Sequence, residues 1–157
     1  LEQVAVRSGI GKFCAPVEAK SCLWSGRRCH PDDLRNCWLT GVPLHFEFAT
    51  SGRYPSLEVL VDLLDGNRRT EDDSERWTTI AQKLEAALGK GRCRIVSAAL
   101  SPDKLHLAVC AEIRMLLGLQ RRDIGAVYSV NGNSVVGRIA LGRRTSAGWM
   151  DDSRQAL

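Results

Sequence analysis

Long apolar runs are missing from this chain: no stretch approaches the roughly twenty residues that a membrane-spanning helix requires. The sequence also shows no amino-terminal segment that is basic and then apolar, as secretory leaders are. Lysine is scarce. Of the 22 basic residues only 5 are lysine and 17 are arginine, for a net charge of +4. Arginine's planar fork suits phosphate and carboxylate partners, although a modest charge spread along the chain is also what a solvated surface carries. Several catalytic signatures are absent too. There is no Gly-x-x-x-x-Gly-Lys-[Ser/Thr] phosphate loop, so ATPase activity would have to belong to another domain or chain. No Gly-x-Ser-x-Gly elbow occurs. His45-Phe46-Glu47 supplies the His-x-Glu half of a zinc deaminase signature, but Pro-Cys-x-x-Cys is absent, and the bland reading is a strand residue alternating outward. His106 reads as a strand residue on a polar face.

What is present is ordinary for a folded domain: 157 residues, 44% hydrophobic and 25% charged. That length fits one core, or one core with a small stapled appendix. The chain opens at Leu1, which is expected of a processed form or of a piece of something larger. Six cysteines without a leader point to metal or buried thiols before disulfides. Cys93 and Cys110 lie in apolar strand-like surroundings and read as core. The other four, Cys14, Cys22, Cys29 and Cys37, crowd into the first part of the chain.

Within that part a 15-residue repeat stands out. Cys22-Leu-Trp-Ser-Gly-Arg-Arg-Cys-His30 is followed by Cys37-Trp-Leu-Thr-Gly-Val-Pro-Leu-His45, both of the form Cys-x-x-[Ser/Thr]-Gly-x-x-x-His. Zinc ribbons present thiolates from Cys-x-x-Cys-Gly turns, whose amides face the sulfur and whose glycine takes a left-handed conformation. Here the second cysteine is Ser25 or Thr40. Four ligands would have to come from elsewhere, and the repeat symmetry favours Cys22, His30, Cys37 and His45, with Cys14 and Cys29 in reserve. A metal-free version of the same turns, with buried thiols, is the competing reading, and disulfides are a third. Arg27, Arg28 and Arg35 flank Trp24 and Trp38 on the same segment, a combination able to hold phosphates and stack bases of DNA or RNA; the alternative is that the tryptophans fill a small core.

The stretch CLWSGRRCHPDDLRNCWLTG resembles the tandem Cys-x-x-[Ser/Thr]-Gly-[Lys/Arg] turns of degenerate zinc-ribbon modules attached to some bacterial helicase-like ATPases. Its Ser-Gly-Arg, Pro-Asp-Asp-Leu connector and Cys-Trp-Leu-Thr-Gly carry the resemblance, while Val42 departs from the basic residue the pattern has. It covers residues 22–45 alone and implies a non-catalytic accessory module with structural zinc.

After a linker at 51–54, Leu57, Leu60, Val61 and Leu64 predict a helix that Gly66 stops. Residues 67–73 read as a loop. A second helix is predicted from Ser74 to about Leu88, with Trp77, Ile80, Ala81, Leu84, Ala87 and Leu88 on its apolar stripe. Strands at 94–100 and 105–113 flank a Ser-Pro-Asp-Lys turn, a short helix is predicted at 113–117, and strands at 126–129 and 134–140 flank an Asn-Gly turn. From Leu141 the chain turns polar. The expected fold is α+β: a zinc-ribbon-like module over 1–50, a domain over 51–142 of two helices packed on an antiparallel sheet, and a polar tail over 143–157. The expected function is a cytoplasmic, non-catalytic, zinc-stabilised binding or adaptor module, associated with nucleic acid or with a larger ATPase or protein complex. A protein interaction domain of an effector or secretion assembly, and a zinc-dependent hydrolase or deaminase, are the alternatives.

Overall fold

The computed structural model describes residues 5–37, 39–48, 74–145 and 148–152. Its strongest local signal is strand alternation in the second half, and that half forms one antiparallel five-stranded sheet. The strands are β7 (Arg92–Leu100), β8 (His106–Met115), β9 (Gln120–Ser129), β10 (Ser134–Thr145) and β11 (Gly148–Asp151), and they lie in the order β11-β10-β9-β8-β7. Each strand pairs with its sequence neighbour, so the sheet is a meander. The two turns predicted from Ser-Pro-Asp-Lys and Asn-Gly are both present. Bulges shift the register between Ile95 and Ser97 and between Val136 and Ala140.

One α-helix, α1 (Ser74–Leu88), is present among the described residues. Its stripe of Trp77, Ile80 and Leu84 is buried against large sheet residues, among them Ile95, Val109, Ile113, Ile124 and Tyr128. The opposite face of the sheet carries smaller side chains: Ala99, Ala108, Cys110, Val127 and Ala140. These pack under Cys22, Trp24, Cys37, Leu39, Val42 and Leu44 from the amino-terminal segment. Period-two alternation makes this division, since β8 sends Ala108 and Cys110 to one side and Leu107, Val109 and Ile113 to the other.

The expected α+β class is therefore corrected. The protein is mostly β, with 49% of the described residues in strands, and it is not a small zinc ribbon followed by two helices on a sheet. The helix predicted over 55–66 lies outside the described residues. The short helix predicted at 113–117 is instead the end of β8 and a 3₁₀ turn, Leu116–Gly118, because strand pairing from Ile113 to Met115 outweighs the local apolar run. The polar stretch after Leu141 extends β10 and adds the edge strand β11. From the amino-terminal segment, Cys22, Trp24, Cys29, Cys37, Leu39, Val42 and Leu44 are buried in a core shared with the sheet.

The amino-terminal segment contains three short hairpins. They are β1 (Val6–Arg7) with β2 (Phe13–Cys14), β3 (Lys20–Ser21) with β4 (Arg28–Cys29), and β5 (Leu34–Asn36) with β6 (Pro43–His45). No helix of the described residues is long and apolar enough to cross a membrane.

Candidate binding surface of the repeat segment

The repeat seen in the sequence is a repeat in space. In the second unit the Cys22 amide donates to the Arg27 carbonyl at 2.9 Å, and in the third Cys37 donates to Val42 at 2.8 Å. Gly26 and Gly41 close the turns with left-handed φ values of 69° and 75°, which glycine adopts without a Cβ penalty. The Ser25 amide points at Cys22 Sγ and the Thr40 amide at Cys37 Sγ, each at 3.5 Å. After each hairpin a histidine caps a 3₁₀ turn. His30 Nδ1 accepts from the Asp32 amide at 3.1 Å, and His45 Nδ1 accepts from Glu47 at 3.3 Å.

A third copy precedes these two and escapes a reading that starts from cysteine. Gly11, Gly26 and Gly41 fall at the same 15-residue spacing, as do Cys14 and Cys29, and Pro16 and Pro31. The hairpin of β1 and β2 is followed by a turn in which the Glu18 amide donates to Ala15 O at 2.9 Å, as Asp33 donates to His30 O at 3.0 Å. Ser8 occupies the position of Cys22 and Cys37: its amide donates to Lys12 O at 2.7 Å and its carbonyl accepts from the Gly11 amide at 3.0 Å, as the two cysteines do in their turns. The connection between β1 and β2 is also one residue shorter, which hides the match.

The predicted metal residues are distributed along this repeat. Cys22 Sγ also accepts from the His45 amide at 3.3 Å, which seats it at the base of the third hairpin, where His45 pairs with Leu34. Cys37 lies at the turn end of that hairpin, beside Val42. Cys29 is buried; desolvation and the nearby Cys22 push its thiol up from its ordinary value, with Asp33 adding to the shift. Cys14 is buried on β2. All six cysteines are free thiols. Among the described residues, no three His, Cys, Asp or Glu side chains converge to hold one metal ion.

The residues predicted to hold nucleic acid are largely engaged within the fold. Trp24 is buried in the core beneath the turns. Arg28 donates to the carbonyls of Pro16 and Ala19, tying the first unit to the second. Arg35 donates to the carbonyls of Asp32 and Leu34 at 2.6 and 2.8 Å. Arg27 is exposed and lies 3.9 Å from Glu47. Trp38 lies outside the described residues.

Where the three units meet, a groove opens, lined by Gly9, Ile10, Pro31, Asp32, Asp33, Arg35 and Phe46. Ile10 is 73% exposed and Phe46 44%, so apolar area faces solvent on turns that are themselves well fixed. Both Asp33 oxygens accept from the Gly9 amide, at 3.2 and 3.0 Å, which locks the first turn against the second. Lys12 pairs with Asp32 at 3.1 Å on the rim, and its hydrogen bond and charge lower the carboxyl below its ordinary value. No known protein family, no curated protein and no solved structure matches the chain.

Proposed function

We propose that this chain is a non-catalytic binding unit, an adaptor that receives a protein partner in the groove of its repeat segment. The observation that carries the reading is the pair Ile10 and Phe46. Two large apolar side chains stand in solvent beside Pro31, on turns braced by Asp33, within a rim of opposite charges from Lys12, Asp32 and Arg35. Exposed apolar area on rigid backbone with a polar rim is the composition of a protein interface. The burial of Trp24 and the internal use of Arg28 and Arg35 favour a protein over DNA or RNA as occupant of this segment.

The test compares the intact chain with Ile10→Asp and Phe46→Ser as affinity baits, with circular dichroism confirming folding. The reading expects a defined partner retained by the intact chain and lost by both variants. Equal retention by all three refutes it, and an oligonucleotide bound through Arg27 and Arg28 would restore the nucleic-acid reading.

Structural zinc is a second reading, favoured by the Ser25 and Thr40 amides aimed at the thiols of Cys22 and Cys37, as in turns that hold metal thiolates. In the first reading those thiols are apolar filler under the turns, as buried cysteines commonly are.

A further inference from the structure

The far end of the sheet, away from the Ser-Pro-Asp-Lys and Asn-Gly turns, carries a surface that the groove does not use. Antiparallel register sets Arg92 opposite Arg114, and Arg114 opposite Arg121, so three arginines lie side by side across β7, β8 and β9 on one face. Directly paired residues on neighbouring strands are close, and like charges there destabilise a sheet. Only part of that charge is answered. Buried Glu112, in the next row, accepts from Arg121 and from Arg94. Among the described residues Arg92 and Arg114 make no side-chain hydrogen bond or ion pair, and both are exposed. Lys90, exposed in the connection between α1 and β7, adds to the same end.

The turn from β8 to β9 projects from this end, and it presents leucine. Leu117 is 105% exposed and Leu119 is 88% exposed. Leu117 has φ of +56°, a conformation that costs a non-glycine residue about 1 kcal/mol and is usually taken by Gly or Asn. A leucine held outward in such backbone, on the tip of a strand pair and backed by unpaired cations, has no packing role among the described residues.

The geometry points to this end of the sheet as a docking surface for an anionic lipid bilayer, with Leu117 and Leu119 entering the acyl boundary and Arg92, Arg114, Arg121 and Lys90 meeting acidic headgroups. A bilayer fits both features at once, since apolar side chains enter just below the plane in which arginine and lysine find phosphate and carboxylate. A nucleic-acid backbone would answer the arginines and leave two leucines in water. This surface is separate from the groove, so an adaptor could hold a partner in one while resting on a membrane with the other.

Co-sedimentation with vesicles tests it, using phosphatidylcholine alone and phosphatidylcholine mixed with phosphatidylserine. Binding is expected on the mixed vesicles only, weakening as salt is raised. Leu117→Asn with Leu119→Ser should lower affinity by about tenfold or more. In contrast to a merely structural change, Leu117→Asn should hold or raise Tm, because Asn accepts positive φ. Arg92→Gln and Arg114→Gln should each cost about fivefold. No sedimentation with the mixed vesicles overturns the proposal, as does binding that survives loss of both leucines. An oligonucleotide bound through Arg92 and Arg114, with vesicles ignored, reassigns the surface to nucleic acid.

Discussion

Replacing Gly137 by alanine should uncouple the third repeat unit from the sheet. Gly137 sits in the β10 bulge at φ +71°, and a Cβ built there falls 2.1 Å from the carbonyl oxygen of Thr40 and 3.2 Å from Val42 Cγ1. That carbonyl cannot yield freely, because it accepts from the Arg138 amide at 2.9 Å, while Arg138 Nε donates to Leu39 O at 2.9 Å. The left-handed dihedral costs alanine about 1 kcal/mol. Displacing the Thr40 carbonyl forfeits one amide bond, and the shift weakens the guanidinium bond, for about 1 kcal/mol each. The sum is about 3 kcal/mol, which for a domain of this size lowers Tm by roughly 6 to 12 °C. Gly41→Ala supplies the control. Its φ is +75° but, among the described residues and beyond its two chain neighbours, no atom lies within 4 Å of the added Cβ, so only the dihedral cost of about 1 kcal/mol applies. Urea unfolding of both variants, with hydrogen exchange at the Arg138 amide, measures the difference. If Gly137→Ala loses no more than Gly41→Ala, the bulge is not what docks the turn.

Further outcomes follow from the same structure. Leu84→Ala, in a side chain 1% exposed between α1 and the sheet, should cost about 2 to 5 kcal/mol by urea unfolding; a loss under about 1 kcal/mol would mean that α1 does not seal that face. Burial, and then the charge of Glu85, push the Cys93 thiol up to about 11. Its alkylation rate should climb about tenfold per pH unit beyond pH 9 and level off near that value, and a plateau already reached at pH 9 would contradict the burial. Because the folded state holds that proton more tightly, the stability contributed by the thiol is complete below the unfolded value near 9 and is lost as pH rises toward about 11. Metal analysis after dialysis without chelator should find under half an equivalent of zinc, with Tm unmoved by EDTA. A full equivalent would replace the buried-thiol reading with the zinc reading.

The sequence disclosed local devices more readily than the face each one buries. α1 was legible from its stripe and its terminal Gly89, and the Ser-Pro-Asp-Lys and Asn-Gly turns from dihedral chemistry. The two later repeat units were legible because Cys, Gly and His recur in register. The first unit was not, since Ser8 stands where the pattern asks for cysteine and the turn after it is one residue shorter. Nor could residue types say whether Cys22 and Cys37 face a common ion or the small side chains of the sheet, because the same amide-to-sulfur turn serves both. Apolar Leu116 and Leu117 suggested a helix where the chain makes an exposed turn; no local residue preference announces a leucine at positive φ. The arginine row was invisible for a different reason. Arg92, Arg114 and Arg121 are far apart in the chain and become neighbours only through strand register.

The unequal faces of the sheet guard its own assembly. Alanine, cysteine and valine leave shallow ground on which backbone turns can settle, while isoleucine and tyrosine on the reverse fill the space beneath α1. Were β8 to slip one residue against its partners, Val109 and Ile113 would collide with the turns and Ala108 would leave a hollow under the helix. Mispaired intermediates are thus penalised on both sides together, so the meander has a single alignment in which it can be covered.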